Sequence, residues 1–178
     1  MELDNLDVKL LSLLQRNATA TVKELAAEVG LSANACWRRI QSFEECGYIV
    51  NRVALLDHAK LGVGTTVIVS IKTADHSAEW VDKFTEAVRD LPEVVEFYRM
   101  SGEVDYWIKL RVTDISHYDA IYKSLISQMR FVDISAAFAM EELKNTTEIP
   151  LPSVPPGWKF QLENGRVSPL DGKYKQKT

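Results

Sequence analysis

Asn34, Arg38 and Gln41 fall on one side of a helical wheel, and their side chains are of the kinds that read DNA bases. Arg presents a two-pronged donor that fits guanine, while Asn and Gln each pair a donor with an acceptor, as adenine requires. Trp37 and Ser42 flank them. On the reverse side Cys36, Ile40 and Phe43 keep the i, i+4, i+7 spacing of a buried stripe, so a helix opening at Ser32 has an apolar inner face and a base-reading outer face. Arg52, beyond the helix, and Arg39, at the margin of the apolar stripe, are read as phosphate contacts, with a structural ion pair as the competing role for Arg39. The candidate DNA-binding set is Ser32, Asn34, Trp37, Arg38, Arg39, Gln41, Ser42 and Arg52. A second chemistry sits at Ser101 to Tyr106. There Gly102 lets a ligand approach the backbone, exposed amides suit a carboxylate, and Glu103 or Asp105 suits an ammonium. On the residues alone, an ordinary hairpin turn competes with that reading.

The elements that position the first set are sharply punctuated. Thr21-Val22-Lys23-Glu24 has the form of a capping box, Leu25, Ala26 and Val29 make an apolar side, and Gly30 stops the helix. Leu31 bridges the turn and Ser32 caps the next helix. Two short helices joined by so tight a Gly-containing turn predict a helix-turn-helix. An upstream helix from Leu3 to Arg16, capped by Asp4, supplies Leu6, Leu10, Leu13 and Leu14 to a three-helix core. Tyr48 to Leu56 suits strands of a short wing, and Leu61-Gly62-Val63-Gly64 a hinge.

Beyond the hinge the period changes from helix to strand and back. Val67, Val69 and Ile71 alternate. Ser77 then caps a helix carrying Trp80, Val81, Phe84, Val88 and Leu91, which ends at Pro92. Strands follow over Val94 to Met100 and Asp105 to Val112, then a helix capped by Asp114 or Ser116, then a strand carrying Ile134, Ala136, Phe138 and Met140. The order βαββαβ is a ferredoxin-like unit, with both helices on one sheet face. The other face is expected to be apolar and covered by a second copy or a ligand. The fold class is therefore α+β, a winged helix-turn-helix followed by a ferredoxin-like domain of the dimeric α/β barrel type. Its expected divisions are a DNA-binding domain at 1–50, a wing and linker at 51–62, an effector and oligomerisation domain at 63–144, and a Pro-rich tail at 145–178. Pro150, Pro152, Pro155 and Pro156 predict extended, unpaired chain in that tail, where Trp158 and Phe160 stand out and Lys173, Lys175 and Lys177 close the sequence.

Composition sets outer bounds. A net charge of −4 over 178 residues excludes a generally basic, adhesive protein, and the acids and bases of the first sixty residues roughly cancel. DNA affinity must come from local placement of Arg and Lys. Cys36 and Cys46 sit about 15 Å apart along one helix, too far for a disulfide. Reduced thiols, the lack of a signal-peptide pattern and the lack of a long apolar run point to the cytoplasm and away from membranes. His58, His76 and His117 have no metal-ligand spacing, and no phosphate loop or nucleophile elbow is present. No metal, cofactor or catalytic residue is expected. The rival reading is a small dimeric α+β barrel enzyme, such as a cofactor-poor oxygenase.

The chain resembles the Lrp/AsnC, or feast/famine, family of bacterial transcription regulators. The resemblance rests on Leu3-Asp4-Asn5-Leu6-Asp7, Val29-Gly30-Leu31-Ser32, Arg38-Arg39-Ile40, Phe43-Glu44, Gly47-Tyr48-Ile49 and Ser101-Gly102-Glu103-Val104-Asp105-Tyr106, in that order and spacing. It implies dimers joined through the βαββαβ domains, assembly to tetramers or octamers that wrap double-stranded DNA, and a small amino acid bound between dimers. The effector set it implies is Tyr98, Arg99, Ser101, Gly102, Glu103, Val104, Asp105 and Tyr106, with Ala136 and Phe138 from a neighbouring subunit. Cys36-Trp37-Arg38-Arg39, Val53 to Asp57, Arg99 to Glu103 and Phe138 to Glu141 are similar to a subgroup containing a cysteine-responsive regulator of cysteine detoxification. That similarity implies cysteine or another small amino acid as the effector. Glu103 departs from the Asp that many members carry there.

Overall fold

A computed structural model describes residues 2–151, 160–163 and 166–169. The chain divides into two compact units, one of Met1–Ala54 with Asn145–Thr178 and one of Leu55–Lys144.

The first unit holds α1 (Asn5–Arg16), α2 (Val22–Val29) and α3 (Ala33–Glu45). Each helix starts where its cap satisfies amides that the first turn leaves unpaired. Asp4 and Asp7 form a reciprocal box, each accepting from the other's amide, at 2.8 and 2.9 Å. Thr21 and Glu24 form the second box, and Ser32 Oγ accepts from the Ala35 amide. Gly30 ends α2 at φ +72°, a left-handed backbone that an L side chain rarely adopts. The chain therefore turns over the three residues Gly30, Leu31 and Ser32, and α3 crosses the other helices over a core of Leu10, Leu14, Leu25, Ala26, Val29, Cys36, Ile40 and Phe43. Burial of each Leu, Ile or Phe stabilises this small unit by roughly 1.5–3 kcal/mol.

After α3, Gly47 turns the chain and the Tyr48 and Ile49 amides both donate to the Phe43 carbonyl. The expected wing strands are absent, since no residue from 46 to 64 lies in a strand. A strand requires a partner for its backbone groups, and none is offered to this segment within the described residues. Val50, Val53, Leu55 and Leu56 are left exposed.

The second unit is an antiparallel sheet of β1 (Thr65–Lys72), β2 (Val94–Arg99), β3 (Tyr106–Val112) and β4 (Asp133–Phe138), in the order β2-β3-β1-β4. Between them run α4 (Ala78–Arg89), capped by Ser77, and α5 (Ile115–Gln128), capped by Asp114. Val67, Val69, Ile71, Tyr106, Ile108, Leu110 and Val112 meet Phe84, Val88 and Ile121 of the helices in one core. Phe84 is its hub, with ring centroids of Tyr106, Trp80, Phe97 and Phe131 at 4.9, 5.0, 5.6 and 5.7 Å.

The other sheet face differs from the apolar surface expected of it. Ile68, Trp107 and Tyr98 share it with Lys109 and Glu96, paired at 2.8 Å, and with Arg111, which bonds Thr66 and Glu142. Alternation in β1 and β3 is legible in sequence, but the acids that pair Lys109 and Arg111 come from β2 and from beyond β4. The tail is also corrected. β5 (Phe160–Glu163) and β6 (Arg166–Pro169) pair antiparallel where unpaired chain was expected. Trp158 and the closing lysines lie outside the described residues.

Candidate DNA-reading helix and effector turn

The buried stripe of α3 fixes its rotation, and that rotation decides which side chains reach outward. With Cys36, Ile40 and Phe43 enclosed, Asn34 and Arg38 project from the opposite side and Trp37 stands 51% exposed beside them. Ser32 is occupied as the helix cap. Gln41 is half-buried, and its Nε2 donates to Glu44 Oε2 at 3.2 Å. Ser42 lies half-buried further along. Arg38 makes no ion pair among the described residues, which leaves its guanidinium directed to solvent.

Arg39 and Arg52 are engaged differently. Arg39 Nη1 donates to Asp7 Oδ1 at 2.5 Å and to Asp4 Oδ2 at 2.8 Å, so it ties α3 to the first turn of α1. Burial opposes ionisation of Asp4, but bonds from the Asp7 amide and the Arg39 guanidinium outweigh it and hold its carboxyl below the usual range. Of the two roles weighed for Arg39, the ion pair is the one seen here. Arg52 pairs with Glu44 at 2.7 Å, an exposed contact that a phosphate can displace at little cost.

The candidate effector turn, Ser101–Tyr106, lies between β2 and β3. Gly102 adopts φ +112° with open space around its α-carbon, so a ligand can meet bare backbone there. Ser101 and Glu103 are exposed, and Glu103 pairs with Lys72 at 3.0 Å. Asp105 has a bracing role: its Oδ2 accepts from the Thr73 amide at 2.8 Å, while its own backbone bridges Ile71 and Met100. Val104 is half-buried and Arg99 exposed. Tyr98 stacks on Trp107 with centroids 5.7 Å apart, and its hydroxyl donates to Glu96, which raises the phenol's pKa.

Tyr106 points away from the turn, and Ala136 and Phe138, expected to reach a neighbouring subunit's turn, lie on β4. Tyr106 is 3% exposed in the aromatic core, because strand alternation points it inward. Phe138 packs edge-on against Tyr118 of its own α5 at 5.5 Å. Ala136 is exposed on the edge strand. Lys72 and Thr73, which hold the turn from β1, were missed. They stand some thirty residues away in sequence, and only the β1–β3 register brings them to it.

Among the described residues no cluster of His, Cys, Asp and Glu is arranged to hold a metal ion. None of their helices is long and apolar enough to cross a membrane.

Two family models match the chain. One is the winged helix-turn-helix DNA-binding domain, over residues 3–50, and the other the Lrp/AsnC ligand binding domain, over residues 66–149. The chain is similar to the glutamate uptake regulatory protein of Zymomonas mobilis, at 54% identity over 85% of this chain and 92% of that one. It is 43% identical to the DNA-binding transcriptional activator DecR of Escherichia coli, over 84% of this chain and 99% of that one. A transcriptional regulator of Neisseria meningitidis, solved as its L-Met complex, superposes with a TM-score of 0.79 at 30% identity, covering 83% of this chain and 96% of that one.

Proposed function

The chain belongs to the Lrp/AsnC family of transcriptional regulators, and from that premise we propose that α3 reads the major groove through Asn34, Arg38 and Gln41 while a small amino acid bound at the Ser101–Tyr106 turn modulates the protein. Relatives so similar over nearly their whole length are regulators, so the chain is a DNA-binding transcriptional regulator and the barrel-enzyme reading falls away.

The observation that carries the DNA reading is the outward face of α3, where Asn34, Trp37 and Arg38 stand exposed while the opposite stripe is locked in the core. The Arg39–Asp7 pair fixes the helix axially, so the exposed groups are presented on a rigid element. Arg38 supplies a bidentate contact to guanine. Lys23 and, after releasing Glu44, Arg52 supply phosphate contacts. Two such helices, one from each copy of a dimer, meet half-sites about one helical turn or a multiple of it apart. Selection of bound duplexes from a random DNA pool tests this. The protein is expected to enrich a two-fold symmetric motif, and failure to enrich any motif would overturn base reading.

For the effector, the open backbone at Gly102 and the paired acids Glu103 and Asp105 suit the carboxylate and ammonium common to amino acids. The family domain and the L-Met complex of a relative support an amino acid. The effector is a sulfur-containing amino acid, cysteine first, as the L-Met complex of one relative supports. Two copies pair through the sheet face bearing Trp107 and Tyr98, and the effector site closes between such dimers in tetramers or octamers. A thermal-shift screen of the free amino acids is the test, since a ligand specific to the folded state raises the melting temperature. Uniform melting across the set would remove the effector site.

A further inference from the structure

Gln15, on the last turn of α1, turns its carboxamide against the backbone of Ile149. Its Nε2 donates to the Ile149 carbonyl and its Oε1 accepts from the Ile149 amide, both at 3.1 Å. A side chain that takes both backbone groups of one residue offers what a neighbouring strand would offer. It recognises extended chain whatever side chain that residue carries. The next residue of α1, Arg16, donates from Nε to Glu148 at 3.0 Å. Beyond these contacts Thr147, Ile149 and Leu151, alternate residues as in a strand, line an apolar groove of about 560 Å³ whose facing wall includes Val8, Leu11 and Leu14. None of these groups serves base reading or the effector turn.

We infer that the C-terminal end of α1 is a docking site for an extended peptide in which an acidic residue precedes an apolar one, and that its resident ligand is the segment 147–151 of the same chain. The two amide bonds supply register, Arg16 supplies the preference for an acid, and the groove supplies the preference for apolar residues on alternate positions. Main-chain bonds plus pockets for alternate side chains are the general means by which proteins bind extended segments. The hold is weak by design of its parts. The ion pair is exposed on both sides and Ile149 is itself 64% exposed, so the segment exchanges between bound and free states. It stays bound because it is tethered, which keeps its effective concentration high. The chain thus leaves the DNA-binding unit after Ala54 and rejoins it at Asn145.

Amide hydrogen exchange on the full chain tests the site. Protection of Ile149 is expected in the parent protein, with exchange about fivefold faster in Gln15→Ala, whose helix fold is undisturbed. Arg16→Glu and Glu148→Arg should each accelerate exchange at 147–151, and the double variant should restore protection. An Ile149 amide that exchanges at the unprotected rate in the parent, or that ignores Gln15→Ala and both charge reversals, would overturn the site. Mixing the two single variants separates one chain from two. The mixture is expected to stay unprotected. Restored protection on mixing would mean that the segment docks on a second copy, and the same-chain assignment would be wrong.

Discussion

Arg39 on α3 and Asp7 on α1 are joined at 2.5 Å, with the Asp7 side chain only 3% exposed. The carboxylate is thus both part of a helix cap and the buried half of an ion pair, and the guanidinium is its compensating charge. Removing Arg39 leaves that charge enclosed with the Asp4 amide but without a cation. Arg39→Met is therefore expected to destabilise the protein by about 2–4 kcal/mol, somewhat below a fully buried pair because Arg39 keeps partial access to water. Urea denaturation measures it. A loss under about 0.5 kcal/mol would return Arg39 to the phosphate-contact role.

Arg38 should behave oppositely. Arg38→Ala is expected to leave the urea midpoint unchanged and to lower affinity for the selected duplex by about 1–3 kcal/mol, with little effect on random DNA. Fluorescence anisotropy on both duplexes checks it. An equal loss on both would identify a phosphate contact instead.

The caps predict an acid limb of stability. Burial opposes ionisation of Asp4, but the Asp7 amide and Arg39 hold its carboxyl below the ordinary 3.8, and the Thr21 amide, then its hydroxyl, hold Glu24 below 4.5. Both groups are more acidic folded than unfolded. Their contribution is complete above those ordinary values and is lost as pH falls through the lower folded ones. Melting temperatures should therefore drop below about pH 4.5, and an Asp4→Asn, Glu24→Gln double variant should show a shallower drop.

Burial pushes the Cys36 thiol upward against a weaker opposing pull from Arg39. Cys46 is half-buried at the end of the helix. A thiol reagent at neutral pH should label Cys46 in the native protein and Cys36 only on unfolding. Rapid labelling of both would show that the core of the first unit opens readily.

At the effector turn, Asp105→Ala should abolish the effector's calorimetric signal and also cost about 1 kcal/mol in stability, because the Thr73 amide loses its acceptor. Glu103→Gln is the cleaner probe, since its only ion pair among the described residues, to Lys72, is exposed and contributes little to stability. Undiminished effector binding in both variants would place the site elsewhere.

The sequence by itself determined the helices of both units, the strands of the four-stranded sheet and the punctuation between them. Periods of 3.6 and 2, the boxes at Asp4 and Thr21, the caps at Ser32, Ser77 and Asp114, and the stop at Gly30 are local properties, set by residues within a turn or two of each other. The outward face of α3 was legible for the same reason, because the buried stripe alone fixes the rotation of the helix. What tertiary structure decided was every pairing across long sequence separations. It joined Arg39 to Asp7, braced the Ser101–Tyr106 turn from Thr73, drew Tyr106 and Phe138 into the core, and put ion pairs on a sheet face expected to be apolar. It also placed Val50–Leu56 outside any strand of the described residues and seated Ile149 on Gln15. Side-chain partners and strand register depend on which segments meet, and periodicity within a segment carries no record of that.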